Sequence, residues 1–217
     1  MRIALETALI CCSIAYLIGS INFAVIFSKA FMKKDVREVG SGNAGTTNVM
    51  RSAGFVPGAL TFLCDALKGF FACYIGKTVF ELLSKLEPEG YGIIGAYLCG
   101  LACMLGHVFP VFFKFKGGKG VATSVGIFAV CSPVAIALGL AVFAVITLTT
   151  KYVSLASLSA TVVVVVASVI FRLTDGYLIW QIVLAVAMGI IVFLKHKDNV
   201  KRLLNGTENK VGGKKNV

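Results

Sequence analysis

Residues 106–126 read Gly-His-Val-Phe-Pro-Val-Phe-Phe-Lys-Phe-Lys-Gly-Gly-Lys-Gly-Val-Ala-Thr-Ser-Val-Gly. A Lys/Gly loop joins two hydrophobic stretches. Gly117, Gly118 and Gly120 leave backbone N–H groups unobstructed, and Lys114, Lys116 and Lys119 place three ammonium groups beside them. Such a loop suits a phosphate-sized anion. It is not a Walker P-loop, because Val121 follows Gly120. On its own Gly-Gly-Lys-Gly is a weak pattern; its place at the mouth of an apolar stretch strengthens it.

A second segment of this kind reads Gly40-Ser41-Gly42-Asn43-Ala44-Gly45-Thr46-Thr47-Asn48-Val49-Met50-Arg51. Glycine permits turns that aim N–H groups at one point. Ser41, Thr46 and Thr47 donate or accept, Asn43 and Asn48 do both, and Arg51 can clamp a phosphate bidentately. A merely flexible loop does not need so dense a set, so these residues are expected to bind substrate.

Further candidates are spread along the chain. Asp65 and Lys68 lie at i and i+3 of one helix face within an apolar run. Charges in lipid are costly and usually paired, so two readings stand: a self-contained ion pair, or a functional pair with Lys68 reaching substrate. His107 precedes Lys114 by seven residues and either faces the same pocket or is a buried, hydrogen-bonded core histidine. Ser154 and Ser157 follow the basic turn at Lys151, as pocket residues or as helix-packing serines. His196, Asn199 and Leu203 repeat at i, i+3 and i+7, which puts them on one helical face of a basic tail.

The elements that must position these groups are membrane spans. The 217-residue chain is 58% hydrophobic and only 14% charged, against roughly a quarter charged in soluble domains. Apolar runs fall near 4–31, 56–83, 92–113, 121–150, 154–172 and 177–194, and the first is too long for a signal peptide. The net charge of +11 is explained by basic residues gathered in short loops rather than by nucleic-acid binding. Lysines and arginines cluster in 33–51, 114–119 and the tail, which places those segments in the cytoplasm, with 81–90 and 172–176 outside. An even number of crossings between loop 114–120 and the tail then splits the run 121–150 into two helices near Ser132-Pro133. The first piece, about 16 Å long, is short for a core of about 30 Å. The expectation is one all-α domain over 1–217: a polytopic transmembrane bundle of seven spans, some short or broken, N-terminus external and C-terminus cytoplasmic. Residues 205–217 read as a loosely ordered basic tail. The seven cysteines lie in apolar segments and read as packing residues. Cys99, Cys103 and His107 span about 12 Å along a helix, too far for one metal to bind all three.

Four motifs in this order resemble the bacterial acyl-phosphate:glycerol-3-phosphate acyltransferase family. They are the glycine-rich Ser/Asn/Arg segment, the His-x-Phe-Pro…Lys-Gly-Gly-Lys-Gly segment, the Tyr-x-Ser-Leu-Ala-Ser turn after Lys151, and His-Lys-x-Asn-x-Lys-Arg-Leu-x-x-Gly-x-Glu ending at Glu208. The resemblance runs from the first span to Glu208. It implies a multi-pass enzyme of the bacterial inner membrane, active at its cytoplasmic face, that moves an acyl chain from acyl phosphate to the 1-position of glycerol 3-phosphate. Lysophosphatidic acid and phosphate would be the products, with no cofactor, metal or nucleic acid involved, and the chain is expected to be a monomer. It implies essential roles for Ser41, Asn43 and Arg51, phosphate binding by Gly117, Gly118, Lys119 and Gly120, and substrate binding or site integrity for Ser154, His196, Asn199 and Glu208. Ser41, Arg51, His196 and Asn199 are the expected catalytic set; Asn43, Thr47, Asn48, Lys68, Lys114, Ser154 and Glu208 join the second motif in binding. Thr46, Lys195 and Lys197 depart from the family's usual residues without removing a charge.

Two anionic substrates repel, and basic loops gathered at one face would offset that repulsion. Proximity and charge neutralisation would then carry most of the catalysis, with either the substrate phosphate or His196 taking the hydroxyl proton. A transporter is disfavoured, because nearly all the polar chemistry lies on one side.

Overall fold

The structure is a computed structural model that describes residues 2–83, 91–175 and 179–211. Among these residues all regular structure is helical, and the chain divides into two compact units, Met1–Cys131 and Ser132–Val217.

In the first unit α4 (Phe55–Leu83) is the central element. It packs against α1 (Arg2–Gly19), α2 (Phe23–Met32), α3 (Thr46–Ala53), α5 (Tyr91–Val108) and α6 (Val121–Cys131). The approach of α6 to α4 is close enough that a Cβ at Gly126 would overlap the Ala66 carbonyl. Small residues make this possible elsewhere too: Ala15, Ala72, Cys99 and Cys103 form a buried cluster shared by α1, α4 and α5.

The first apolar run is a candidate span, Leu5–Met32, as expected, but it is not one unbroken helix. It breaks at Ser20-Ile21-Asn22, and the Asn22 side chain restarts the helix by accepting the Val25 N–H at 3.2 Å. The segment expected as loop from 33 to 55 also contains helix α3. Val25, Val36, Ala44 and Val49, all 1% exposed or less, make a small core beneath that segment. Each buried valine contributes about 2 kcal/mol, enough to hold so short a helix as α3 on the surface of the unit. The helix expected to run to 113 stops at Val108, where Pro110 sits two residues on, and Val111–Phe113 form a single 3-10 turn.

The second unit holds α7 (Pro133–Thr150), α8 (Val153–Asp175), α9 (Ile179–Lys195) and α10 (Lys197–Leu204). The break expected near Ser132-Pro133 is present: α6 ends at Cys131, Ser132 stands at the N-cap position of α7 without a side-chain capping bond, and Pro133 occupies its first turn. Proline there forfeits no hydrogen bond, because first-turn N–H groups have no helical acceptor. α7 packs on α8 and α8 on α9, while α10 rests against both α8 and α9.

Five apolar helical stretches among the described residues meet the length and composition needed to cross a membrane: Leu5–Met32, Phe55–Leu82, Gly92–Phe113, Pro133–Thr150 and Val153–Phe171. Val121–Cys131 and Ile182–Lys195 are apolar but shorter. Outward-facing Leu9, Phe71, Leu148 and Leu194, each at least half exposed, fit a hydrocarbon solvent and not water.

Candidate functional site

In the first unit the glycine-rich segment 40–51 is organised by Asn48. Its Oδ1 accepts the Ser41 N–H at 3.0 Å, and its Nδ2 donates to the Val36, Val39 and Asn43 carbonyls at 2.9, 3.0 and 3.1 Å. Asn48 is 2% exposed, so its carboxamide holds the loop's own backbone in shape. Ser41 is exposed on that loop, while Asn43, Thr47 and Arg51 are half-buried. α3 begins at Gly45, which offers no side-chain cap, so the positive end of the helix dipole faces the loop uncovered. The Thr46 hydroxyl in its first turn is buried without a hydrogen-bond partner.

The second loop is shaped from both ends. Lys114 and Phe115 both take left-handed backbone (φ 56° and 57°), and the Phe115 N–H donates to the Pro110 carbonyl at 2.9 Å. Arg37 then ties this turn to the first segment. Its Nη1 donates to the Phe113 carbonyl at 3.0 Å, while Nε and Nη2 grip Asp35 at 3.0 and 2.8 Å. The Arg37 hydrogen bonds outweigh burial and hold the Asp35 carboxyl below the usual carboxylate range. Lys114 is exposed, Lys119 half-buried, and Gly118 and Gly120 buried.

Gly118 is where the two loops meet. Its N–H donates to the His107 carbonyl at 3.1 Å. A Cβ at this position would overlap His107 Nε2 and lie 2.7 Å from the Ala44 carbonyl. Only glycine lets the second loop lie between the imidazole and the first loop. Nearby, the Thr123 hydroxyl in the first turn of α6 is buried with no hydrogen bond.

Lys68 is buried inside the unit. Its ammonium meets Asp65 Oδ1 at 2.7 Å, donates to the Ile21 carbonyl at 2.7 Å, and lies 5.6 Å from the Phe23 ring centre.

The second unit gathers the remaining candidates around Glu208. Oε1 accepts from Ser154 Oγ at 3.0 Å and from Asn199 Nδ2 at 2.8 Å; Oε2 accepts from Arg202 Nε at 2.7 Å. Burial pushes the Glu208 carboxyl up, but these three donors and the Arg202 charge outweigh it and hold the group below the ordinary glutamate range. Residues 205–211, expected to begin a loosely ordered tail, are instead fastened: the Val211 N–H donates to the Lys151 carbonyl at 2.9 Å and Lys210 lies over the Tyr152 ring. Residues 212–217 lie outside the described set. His196 is 3% exposed, and its Nδ1 lies 2.8 Å from the Val192 carbonyl. A carbonyl only accepts, so Nδ1 carries the proton and Nε2 is the basic nitrogen. Ser157 bonds back to the Val153 carbonyl within its own helix.

Four residues of these clusters were not singled out in the sequence. Arg202 could have been found three residues after Asn199 on the same face. The Asp35–Arg37 clamp lies within a charged stretch that looks like any cytoplasmic loop, and Thr123 looks like any small helix residue.

Comparison with known proteins identifies the family of the chain. A family profile described as glycerol-3-phosphate acyltransferase matches residues 9–206. The chain is 44% identical over 200 residues to glycerol-3-phosphate acyltransferase 2 of Bacillus anthracis, covering 91% of this chain and 96% of that one. It is 43% identical over 204 residues to a Thermoanaerobacter glycerol-3-phosphate acyltransferase, covering 94% and 96%. Its fold is similar to the crystal structure of PlsY (YgiH), an integral membrane glycerol 3-phosphate acyltransferase in its glycerol 3-phosphate form. The TM-score is 0.83 at 39% identity, covering 95% of this chain and 96% of that one. The lysophosphatidic acid form of that protein gives 0.80. The chain belongs to the glycerol-3-phosphate acyltransferase family of integral membrane proteins.

Proposed function

We propose that this protein transfers an acyl group from acyl phosphate to the 1-hydroxyl of glycerol 3-phosphate, releasing lysophosphatidic acid and inorganic phosphate. The observation that carries the reading is the seating of Gly118 between His107 and Ala44, which brings two amide-rich, cation-bearing loops together in one unit. Two phosphate-bearing substrates need two anion sites, and the two loops supply one each.

In this reading the acyl phosphate rests its head on the amides of Gly117, Gly118 and Gly120, with Lys114 and Lys119 neutralising its charge. Glycerol 3-phosphate is held by Ser41, Asn43 and Thr47 at the start of α3 and by Arg51 from its last turn. The Thr46 and Thr123 hydroxyls, buried without partners, would be satisfied by polar ligand groups. Asn48 keeps the first loop in shape. Asn199 and His196, in the second unit, are assigned to substrate by their match to the family's motif, and Ser154 and Glu208 orient Asn199.

The hydroxyl oxygen attacks the acyl carbonyl carbon, a C–O ester bond forms, and the C–O bond to phosphate breaks with its electron pair leaving on phosphate. The proton passes to that phosphate or to His196 Nε2. An acyl phosphate is already activated, so positioning and charge neutralisation supply most of the acceleration and neither metal nor coenzyme is needed. Seven crossings, an external N-terminus, a monomer, and a site at the cytoplasmic face of a bacterial inner membrane belong to the same proposal. The five long and two shorter apolar segments support the crossing number.

Purified protein should release phosphate from acyl phosphate only when glycerol 3-phosphate is present. Phosphate release that ignores glycerol 3-phosphate would overturn the reading. His196→Gln separates the two proton acceptors: near-total loss of kcat with KM kept assigns the proton to His196, and a change mainly in KM assigns it to the phosphate.

A further inference from the structure

Asp65 is 1% exposed inside the apolar first unit, and nothing in the mechanism above uses it. A lone buried carboxylate there would be strongly destabilising. One of its oxygens, Oδ1, meets two cationic or hydrogen-donating groups: Lys68 Nζ at 2.7 Å and His107 Nδ1 at 3.4 Å. Lys68 supplies a counter-charge and anchors to the Ile21 carbonyl in the break between α1 and α2. The partner of consequence is His107. The carboxylate stands at ion-pair distance from Nδ1 without a formed hydrogen bond, so it acts on the ring by charge and favours a proton on the nearer nitrogen. The far edge of that ring, Nε2, is packed on Gly118, while the His107 carbonyl accepts the Gly118 N–H at 3.1 Å. A chain of direct contacts therefore runs from α4 through α5 to the second loop.

We propose that Asp65 is a positioning residue: acting through the His107 imidazole, it sets where the Gly117–Gly120 amides stand, and so tunes binding of the acyl phosphate head. Lys68 serves this pair and does not touch substrate. The inference rests on the proposed reaction only for the identity of the loop's ligand. The geometry carries the rest: His107 bears on the second loop both through its ring and through its carbonyl.

The test is steady-state kinetics of the purified full chain, with acyl phosphate and glycerol 3-phosphate varied separately, for Asp65→Asn, His107→Phe, His107→Gln and the double variant Asp65→Asn/His107→Phe. Asp65→Asn and His107→Phe should each raise KM for acyl phosphate tenfold or more and leave KM for glycerol 3-phosphate within twofold. The double variant should be no worse than the poorer single one, because both act through one ring. His107→Gln, which can still donate toward Asp65, should recover part of the loss. Equal changes in both KM values, or effects that multiply in the double variant, would overturn the proposal. Should Asp65→Asn fail to fold with Lys68 left unpaired, the two His107 variants decide alone. Amide hydrogen exchange without substrate gives a readout independent of the reaction: Gly118 should exchange at least tenfold faster in His107→Phe while the α4 and α5 amides keep their wild-type rates. Unchanged Gly118 exchange refutes the positioning claim, whereas normal exchange effects in a protein that does not use acyl phosphate refute only the assigned reaction.

Discussion

Removing the Glu208 carboxylate is the sharpest perturbation of the second unit. Glu208→Ala takes away the acceptor of Ser154, Asn199 and Arg202 together. Ser154 and Asn199 are 5% and 7% exposed, so water replaces the lost oxygen poorly. A buried donor left unsatisfied costs about 1–3 kcal/mol. The Arg202 side chain is 33% exposed and rehydrates, so it adds little. Two buried donors at the lower half of that range give about 2–4 kcal/mol against docking of residues 205–211, a 30- to 1000-fold rise in the undocked fraction at about 1.4 kcal/mol per decade. The Val211 N–H, bonded to the Lys151 carbonyl, reports it directly: its hydrogen exchange should accelerate by that factor while mid-helix amides of α8 stay slow. Glu208→Gln should cost about half as much, since its carbonyl still accepts from Ser154 and Asn199 while its amide faces the Arg202 donor. The pH dependence has a definite sign. The folded carboxyl titrates below its ordinary value, so docking is at full strength above the ordinary glutamate range and is lost only as pH falls through the lower, folded value. Val211 exchange within twofold of wild type in Glu208→Ala would refute the reasoning.

Three further outcomes follow from the first unit. Asn48→Asp should destabilise at least as much as Asn48→Ala, by about 3 kcal/mol in thermal or denaturant unfolding: a carboxylate can still accept the Ser41 N–H but repels the three carbonyls that Nδ2 serves. Asp35→Asn should expose residues 109–116 to protease, because the Arg37 that holds the Phe113 carbonyl loses its bidentate partner. The wild type should show the same loosening only below the ordinary aspartate range, since the Asp35 carboxyl is held low in the folded chain. With Arg51 gripping glycerol 3-phosphate as proposed, Arg51→Lys should raise KM for it about 10- to 100-fold through the loss of one arm of a bidentate contact, with KM for acyl phosphate little changed.

Much of the architecture was legible in the residues because it rests on local rules. The division of 121–150 at Ser132-Pro133 follows from proline's missing N–H, and the basic loops stood out because charge is excluded from apolar segments. The helix that carries Asn199 followed from helical spacing, but His196 is its N-cap and its ring turns back to the Val192 carbonyl of α9. The break at Ser20-Ile21-Asn22 was not legible. Its flanks are uniformly apolar, and the backbone groups it frees are served by Lys68, 47 positions away in the chain.

The expectation of anion binding came from composition and place together: glycines, amides, hydroxyls and cations at the mouths of apolar stretches. What composition could not assign was which polar groups face a ligand and which serve the chain itself. The sequence offered Asn48 as a substrate residue and Lys68 as either a substrate residue or half of an ion pair; in the fold Asn48 holds four backbone groups and Lys68 meets Asp65. Glu208, at the start of an apparent tail, became the centre of a buried cluster. A side chain's hydrogen-bonding capacity belongs to its residue type, but its partners depend on the path of a backbone dozens of residues away, and that path exists only once the helices have packed.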